Sequence, residues 1–161
     1  MSRPDVFENI AALLAALTTG QRLLGLDIGD KTIGLAISDP MFMIASPVKT
    51  IMRTKKFATA VAEMREIIKN EEVGGLLVGL PVSMDGTEGP RCQKTRDLTS
   101  EISMQLNLPV AFWDERLSTS AIERFLVTEA DMTRKRRKDV VDKMAAGYIL
   151  QGALDSIAGR F

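Results

Sequence analysis

The chain contains no histidine and only one cysteine, Cys92, among its 161 residues. The lack of histidine excludes Ser-His-Asp and Cys-His catalysis, as well as zinc bound by histidine. A single cysteine excludes an intramolecular disulfide, which suits a reducing compartment. Any catalysis must therefore use carboxylates, lysine, hydroxyl groups or a metal held by oxygen ligands.

Net charge and long apolar runs are also missing. Lys+Arg and Asp+Glu each number 21, so a uniformly basic surface for nucleic acid is not expected. No segment is apolar over enough residues to cross a bilayer. Asp5 and Glu8 stand where a secretory signal has cations. We therefore expect a cytoplasmic protein without membrane contact.

What is present is a globular composition with clear apolar periodicity. Hydrophobic residues make up 45% of the chain and charged residues 26%, which suits one domain with one core. The spacing predicts strands at Arg22–Asp27, Thr32–Ser38, Ala45–Met52, Gly74–Gly79 and Pro109–Trp113. It predicts helices at Val6–Leu17, Phe57–Asn70, Arg91–Leu106, Ser118–Val127 and Asp139–Ile157. This order predicts an α/β fold, a mixed sheet with helices on its faces, and a polar connector over residues 128–138.

Two carboxylates stand where apolar strands end. Asp27 closes a strand in which an ionised group is costly unless it is paired or binds a cation. Glu115 follows another strand, at the edge where sites collect in open α/β sheets. Each has a purely structural alternative. Asp27 can form a turn with Gly29, and Glu115 can lie in a surface loop where Arg116 pairs with a carboxylate.

A third candidate is Asp142, near the start of the last predicted helix. Acids in a first helical turn favour the helix dipole, and Asp139 can simply cap the helix. Asp142, however, lies three positions before Ala145 on a small, apolar face that should be buried. Together, three carboxylates suit Mg²⁺, which takes oxygen ligands, water and substrate phosphate oxygens. Two such ions would stabilise the attacking and leaving oxygens of a phosphoryl displacement, without histidine.

Positive charge is concentrated in two places. Five consecutive cations, Arg134–Lys138, precede Asp139, and we favour a contact with a phosphate backbone over a solvated loop. The glycine-containing segment Leu80–Arg91 leads into a helix that also carries Lys94 and Arg96. Its glycines permit close approach of an anion. Because it lacks Walker or GxGxxG spacing, an ordinary βα turn stays open as the alternative.

Four segments, in this order, resemble the signatures of the YqgF family. They are Leu26–Asp39, Asp85–Gly89, Asp114–Thr119 and Val141–Gln151. The resemblance covers about residues 22 to 155. It implies an RNase H-like fold with a five-stranded mixed sheet over residues 21–161, preceded by a helical extension over residues 1–20. It also implies a nuclease, either one that matures the 5′ end of pre-16S rRNA or one resembling a Holliday junction resolvase.

Matching the motifs places the family's catalytic and metal-binding acids at Asp27, Glu115 and Asp142, with Mg²⁺ or Mn²⁺ as the cofactor. It suggests backbone roles for the loop residues Gly29, Gly86 and Gly89. The cations expected to contact nucleic acid are Lys31, Arg91, Arg96, Arg116, Arg134, Lys135, Arg136, Arg137 and Lys138.

The second acid lies in an unusual place, because the fourth strand ends in Gly79-Leu80-Pro81 without a carboxylate. If the fifth strand lies two strands from the first, the backbones are about 10 Å apart. A glutamate such as Glu115 is long enough to span this gap with a bound metal.

Hydrolysis of structured RNA is the preferred hypothesis, with branched DNA as the alternative substrate. A junction resolvase would need paired sites and hence a homodimer, whereas an RNA nuclease can be a monomer or a homodimer. The Asp27-Ile28-Gly29 segment also resembles the phosphate loop of actin-like and sugar-kinase ATP-binding proteins. That class needs a second phosphate loop and a second domain. A non-catalytic binding protein is a third hypothesis.

Overall fold

The computed structural model describes residues 3–54, 56–118 and 134–159, and within residues 134–143 it describes the backbone alone. The strands are β1 (Val6–Phe7), β2 (Arg22–Ile28), β3 (Thr32–Ser38), β4 (Ala45–Met52), β5 (Val73–Leu80) and β6 (Val110–Asp114). The helices are α1 (Ile10–Ala15), α2 (Phe57–Glu71), α3 (Pro90–Leu106) and α4 (Arg134–Ala158).

All six strands form one sheet in the order β1-β6-β5-β2-β3-β4. Strands β2, β3 and β4 form an antiparallel meander, and β2, β5 and β6 run parallel. This arrangement confirms the predicted mixed sheet and its α/β class. Strand β4, which contains Pro47, lies at an edge of the sheet, where the missing amide of proline is tolerated.

The sheet has six strands rather than five, because β1 adds to its other edge. Val6 pairs with Val110 in parallel, and the amide of Val110 donates to the carbonyl of Asp5 over 3.0 Å. The prediction of a helix from Val6 was therefore wrong at its start. Without β1, the edge of β6 would leave backbone N–H and C=O groups unpaired, and residues 5–7 form hydrogen bonds with them. Helix α1 begins only at Ile10, after the Asn9 side chain accepts from the amide of Ala12.

The two faces of the sheet have separate cores. Leu24 and Leu26 of β2 belong to the cluster under α2 and α3, whereas Leu23 belongs to the cluster with α1 and α4. Because side chains alternate along a strand, Asp27 falls on the α4 face. Gly25, on that same face, permits close packing of α4, since a Cβ there would lie 3.0 Å from Leu150 Cβ.

Helix α4 begins earlier than predicted. The cations Arg134–Lys138, expected in a connector, form its first turns, because arginine and lysine are good helix formers. The predicted helix at Ser118–Val127 and the first part of the connector lie, apart from Ser118, outside the described residues. Among the helices that the structure describes, none has the length and apolar character to cross a membrane.

Candidate active site

The side chains of Asp27 and Glu115 meet at one edge of the sheet, on opposite sides of strand β5. Asp27 is half-buried near the end of β2, and Glu115 directly follows β6. The protonated form of Glu115 donates a side-chain hydrogen bond to Asp27. Two residues predicted from the sequence, 88 positions apart by their numbers, are thus in direct contact.

Gly79 explains how Glu115 reaches Asp27 across an intervening strand. The amide of Glu115 donates to the carbonyl of Leu80 over 3.1 Å, which anchors its backbone to the end of β5. A Cβ built at Gly79 would lie 2.8 Å from Glu115 Oε1 and 3.0 Å from its Cγ. The Glu115 side chain therefore occupies the space that any residue larger than glycine would fill.

This contact changes the acidity of Glu115. Burial, the negative charge of Asp27 and the hydrogen bond between the two side chains together raise the pKa of Glu115 to about 7, although Arg91 opposes the shift. Near neutral pH the carboxyl pair therefore holds a proton that is readily lost. A divalent cation bound by both carboxylates would replace this proton.

The donor set fits a hard cation. Carboxylate oxygens are the ligands that Mg²⁺ and Mn²⁺ prefer, and two of them are already adjacent. Within the side chains that the structure describes, no group of three or more acids, cysteines or histidines is close enough to hold a metal. The third predicted ligand, Asp142, lies in α4, and its side chain is outside that description.

The backbone of α4 nevertheless approaches β2, the strand that carries Asp27. The carbonyl oxygen of Ala146 lies 3.5 Å from the Cβ position of Gly25, two residues before Asp27. Asp142 is one helical turn before Ala146. The segment of α4 that carries Asp142 thus lies on the face of the sheet to which Asp27 points.

Two of the predicted nucleic-acid contacts are paired with acids. Arg96 makes two hydrogen bonds to Glu88, of 2.7 and 2.9 Å, and lies 4.7 Å from the ring centre of Phe112. Arg116 binds Asp114 through its Nε and Nη2 atoms, at 2.6 to 3.1 Å. The alternative considered for Arg116, pairing with a carboxylate in a surface loop, is therefore the contact that the structure shows. Both arginines stabilise loops beside the acid pair, and their contact with nucleic acid stays a prediction.

Other predicted cations differ in their surroundings. Lys31 is exposed in the turn between β2 and β3, and Arg91 is exposed in the first turn of α3, where its charge acts on Glu115. The side chains of Arg134–Lys138 lie outside the described part of α4.

The glycine-containing loop after β5 is closed by its own hydrogen bonds. The amide of Gly86 donates to the carbonyl of Ser83 over 2.8 Å, and the amide of Ser83 donates to the carbonyl of Thr87 over 2.9 Å. Gly86 has a φ of 89°, which favours glycine. The amide of Gly29 likewise donates to Thr32 within the turn between β2 and β3, over 2.8 Å. These two amides shape turns, while Gly89 is the N-cap residue of α3.

Sequence reasoning missed two residues at this site. In the sequence, Gly79 is only a glycine inside an apolar strand. Such a glycine indicates that another group approaches the backbone closely, but it does not say which group. Arg53 belongs to no motif. Its guanidinium Nη1 donates to the carbonyl of Gly29 over 2.6 Å, so its side chain is fixed two residues beyond Asp27.

Known proteins resemble this chain in sequence. The sequence model of a family described as "RuvX: Holliday junction resolvase" matches residues 21–156. A protein of Paramagnetospirillum magneticum named "Putative pre-16S rRNA nuclease" is 56% identical over 149 residues, 92% of this chain and 95% of that protein. A protein of the same name from Rhodospirillum centenum is 54% identical over 154 residues, 92% of this chain and 81% of that protein.

A solved structure of RuvC from T. thermophilus in complex with a Holliday junction substrate is 14% identical, with a TM-score of 0.47. The match covers 86% of this chain and 96% of that chain.

The family model and the sequence relatives identify an enzyme that hydrolyses nucleic acid, built on the mixed α/β sheet described above. The chain belongs to the RuvX family of Holliday junction resolvase-like proteins, which confirms the YqgF resemblance of its motifs.

Proposed function

We propose that the protein is a metal-dependent nuclease that matures the 5′ end of pre-16S rRNA. Asp27, Glu115 and Asp142 would be its catalytic and metal-binding residues. The contact between Asp27 and Glu115 across Gly79 is the observation that carries this proposal. Such a pair is costly to ionise and has no evident structural purpose, so it is best explained by a cation that both carboxylates hold.

The proposed ligands would hold Mg²⁺ or Mn²⁺. When bound, such an ion lowers the pKa of water and neutralises charge on the phosphate group. The protein supplies the rest. Glu115 loses its proton on loading, Asp27 orients the Glu115 carboxylate, and Arg91 adds positive charge where the substrate phosphate would approach.

The substrate class rests on the relatives. Proteins at least half identical to this chain are named for pre-16S rRNA, which supports RNA as the substrate. Processing of rRNA would in turn place the protein in the cytoplasm. The family description supports the alternative, cleavage of branched DNA. Resolution of a symmetric junction needs two active sites, hence a homodimer, whereas cleavage of an RNA leader can be performed by a monomer.

The test is cleavage of a pre-16S 5′-leader RNA in Mg²⁺, Mn²⁺ or EDTA, with a four-way DNA junction assayed in parallel. We expect cleavage of the RNA that depends on the metal and is lost in Asp27→Asn. The exposed Asp5→Asn serves as a control with the same chemical change. If the folded wild type cuts the junction but not the RNA, the alternative function replaces the proposed one.

A further inference from the structure

A groove of about 600 Å³ lies beside the acid pair, between the turn after β2 and helix α3. Ile28 and Gly29 form one wall. They follow Asp27 along the chain, and Ile28 points to the α2 and α3 face of the sheet, opposite to Asp27. Arg91 lines the groove and also acts on the charge of Glu115. The groove thus opens at the same edge of the sheet as the candidate active site, on the face opposite to Asp27, and its volume lies within the roughly 300–1,000 Å³ typical of ligand pockets.

Three exposed cations face this groove, namely Arg53, Arg91 and Lys94. Arg53 is held by its hydrogen bond to the Gly29 carbonyl, which uses one of five guanidinium N–H groups. Lys94 follows Arg91 by three positions and therefore lies on the same side of α3. Neither Arg53 nor Lys94 forms an ion pair within the part of the chain that the structure describes, in contrast to Arg96 and Arg116.

The remaining lining is not that of a simple anion site. The floor contains the partly buried apolar residues Ile28 and Leu98, and the rim carries the exposed carboxylates of Asp30, Asp97 and Glu101. Carboxylates repel a free phosphate but accept hydrogen bonds from sugar hydroxyls and base amino groups. This combination of cations, an apolar floor and acceptors matches the chemistry of a nucleotide unit rather than that of an inorganic anion.

We propose that this groove binds a ribonucleotide of the substrate adjacent to the scissile phosphate. Arg53 and Lys94 contact its phosphate, Ile28 and Leu98 contact its base, and Asp30 and Glu101 accept hydrogen bonds from its 2′-hydroxyl or base. The proposal deepens the proposed function and rests on it, because it assigns a substrate subsite next to the acid pair.

Binding can be measured without cleavage in an Asp27→Asn background, by fluorescence anisotropy of a labelled pre-16S 5′-leader RNA over a range of salt. The double variant Arg53→Gln/Lys94→Gln should lose affinity by about tenfold or more, and its salt slope should fall by about 0.7, the value for one phosphate contact. The matched control is Arg22→Gln/Lys69→Gln, which removes two cations at the start of β2 and in the last turn of α2. Control affinity should stay within about twofold.

The role proposed for the acidic rim is tested by comparing the affinities for RNA and DNA. Asp30→Asn/Glu101→Gln should reduce the preference for the RNA over a DNA strand of the same sequence, because the 2′-hydroxyl distinguishes the two. An unchanged preference would overturn the assignment of the rim. Unchanged affinity and salt slope in the Arg53/Lys94 variant would overturn the groove as a phosphate subsite.

The failure of this proposal and that of the proposed function have different signatures. Normal cleavage by the wild type, with full RNA affinity in the groove variant, would reject the groove and leave the nuclease standing. RNA binding that depends on Arg53 and Lys94, without any cleavage by the wild type, would support the groove and reject the nuclease function. Lack of RNA binding by the parent Asp27→Asn protein would reject the groove outright.

Discussion

Glu115 reaches Asp27 across strand β5, through the space left by the missing side chain of Gly79, and in its protonated form donates a hydrogen bond to Asp27. The acids are therefore brought together by the strand order β6-β5-β2 and by one glycine in the middle strand. The fold thus places two carboxylates where their mutual repulsion is relieved by a cation that both bind.

Gly79→Ala should damage the site more than the fold. The added Cβ would displace the Glu115 carboxylate and the end of Ile149, the latter now 2.6 Å from that position. We expect cleavage to fall by at least about 100-fold through misplacement of the acid. The free energy of unfolding should fall by only about 1–3 kcal/mol.

The control for Gly79→Ala is Gly74→Ala in the same strand, whose Cβ would meet the side chain of Gln21, far from the acid pair. Cleavage kinetics and urea denaturation of both variants separate the two effects. Normal cleavage by a folded Gly79→Ala protein would show that the approach of Glu115 to Asp27 is not needed.

Glu115→Gln should make the metal-free protein more stable at alkaline pH. The pKa of Glu115 rises from 4.5 to about 7 on folding, so the unfolded chain loses this proton at lower pH than the native protein. Stability of the wild type should therefore fall as pH increases from about 4.5 to about 7, and then level off. At pH 8 the variant should be more stable by about 2–3 kcal/mol.

Urea denaturation in EDTA at pH 4.5 and pH 8 measures this difference. Glu66→Gln, at an exposed position of α2, is the matched control and should follow the wild type. Parallel pH profiles for the wild type and Glu115→Gln would contradict the raised pKa.

Binding of Mg²⁺ should release a proton from Glu115. Below pH 7 the carboxyl is mostly protonated, so affinity should increase with pH by up to about tenfold per unit and level off above pH 7. Calorimetric titration at pH 6 in two buffers of different ionisation enthalpy counts the released protons. A count near one is expected for the wild type, and a count near zero in the presence of tight binding would exclude Glu115 as a ligand.

Asp142→Asn should lower cleavage by about 100-fold or more and raise the Mg²⁺ concentration needed for half-maximal rate. Asp139→Asn is the natural control, because it makes the same change three positions earlier in α4. Steady-state cleavage over a range of Mg²⁺ concentrations compares them. Equal effects from the two substitutions would indicate a general role of acids near the helix start instead of a third ligand.

The sequence located the acids but not the reason that they meet. Asp27 and Glu115 stood out because each follows an apolar strand, a local signal. Strand order depends on long-range pairing, so the position of β5 between them came only from the family resemblance. The role of Gly79 depends on that strand order and could therefore not be predicted from the local sequence.

Other differences have similar causes. Strand β1 contains two residues and exists through its pairing with β6, a tertiary effect that overrides the local helical spacing. Arg53 lies outside every motif and reaches the site because the meander brings the end of β4 next to Gly29. Apolar periodicity, in contrast, identified the five longer strands because their side chains are sorted by burial.

The most direct test of the central claim combines two readouts on the same samples: Mn²⁺ binding by electron paramagnetic resonance and cleavage of the pre-16S leader RNA. The wild type and Asp5→Asn should bind Mn²⁺ and cut the RNA. Asp27→Asn and Glu115→Gln should lose both properties while keeping their fold. Mn²⁺ binding and cleavage that survive in either of these two variants would contradict a metal-binding catalytic pair at Asp27 and Glu115.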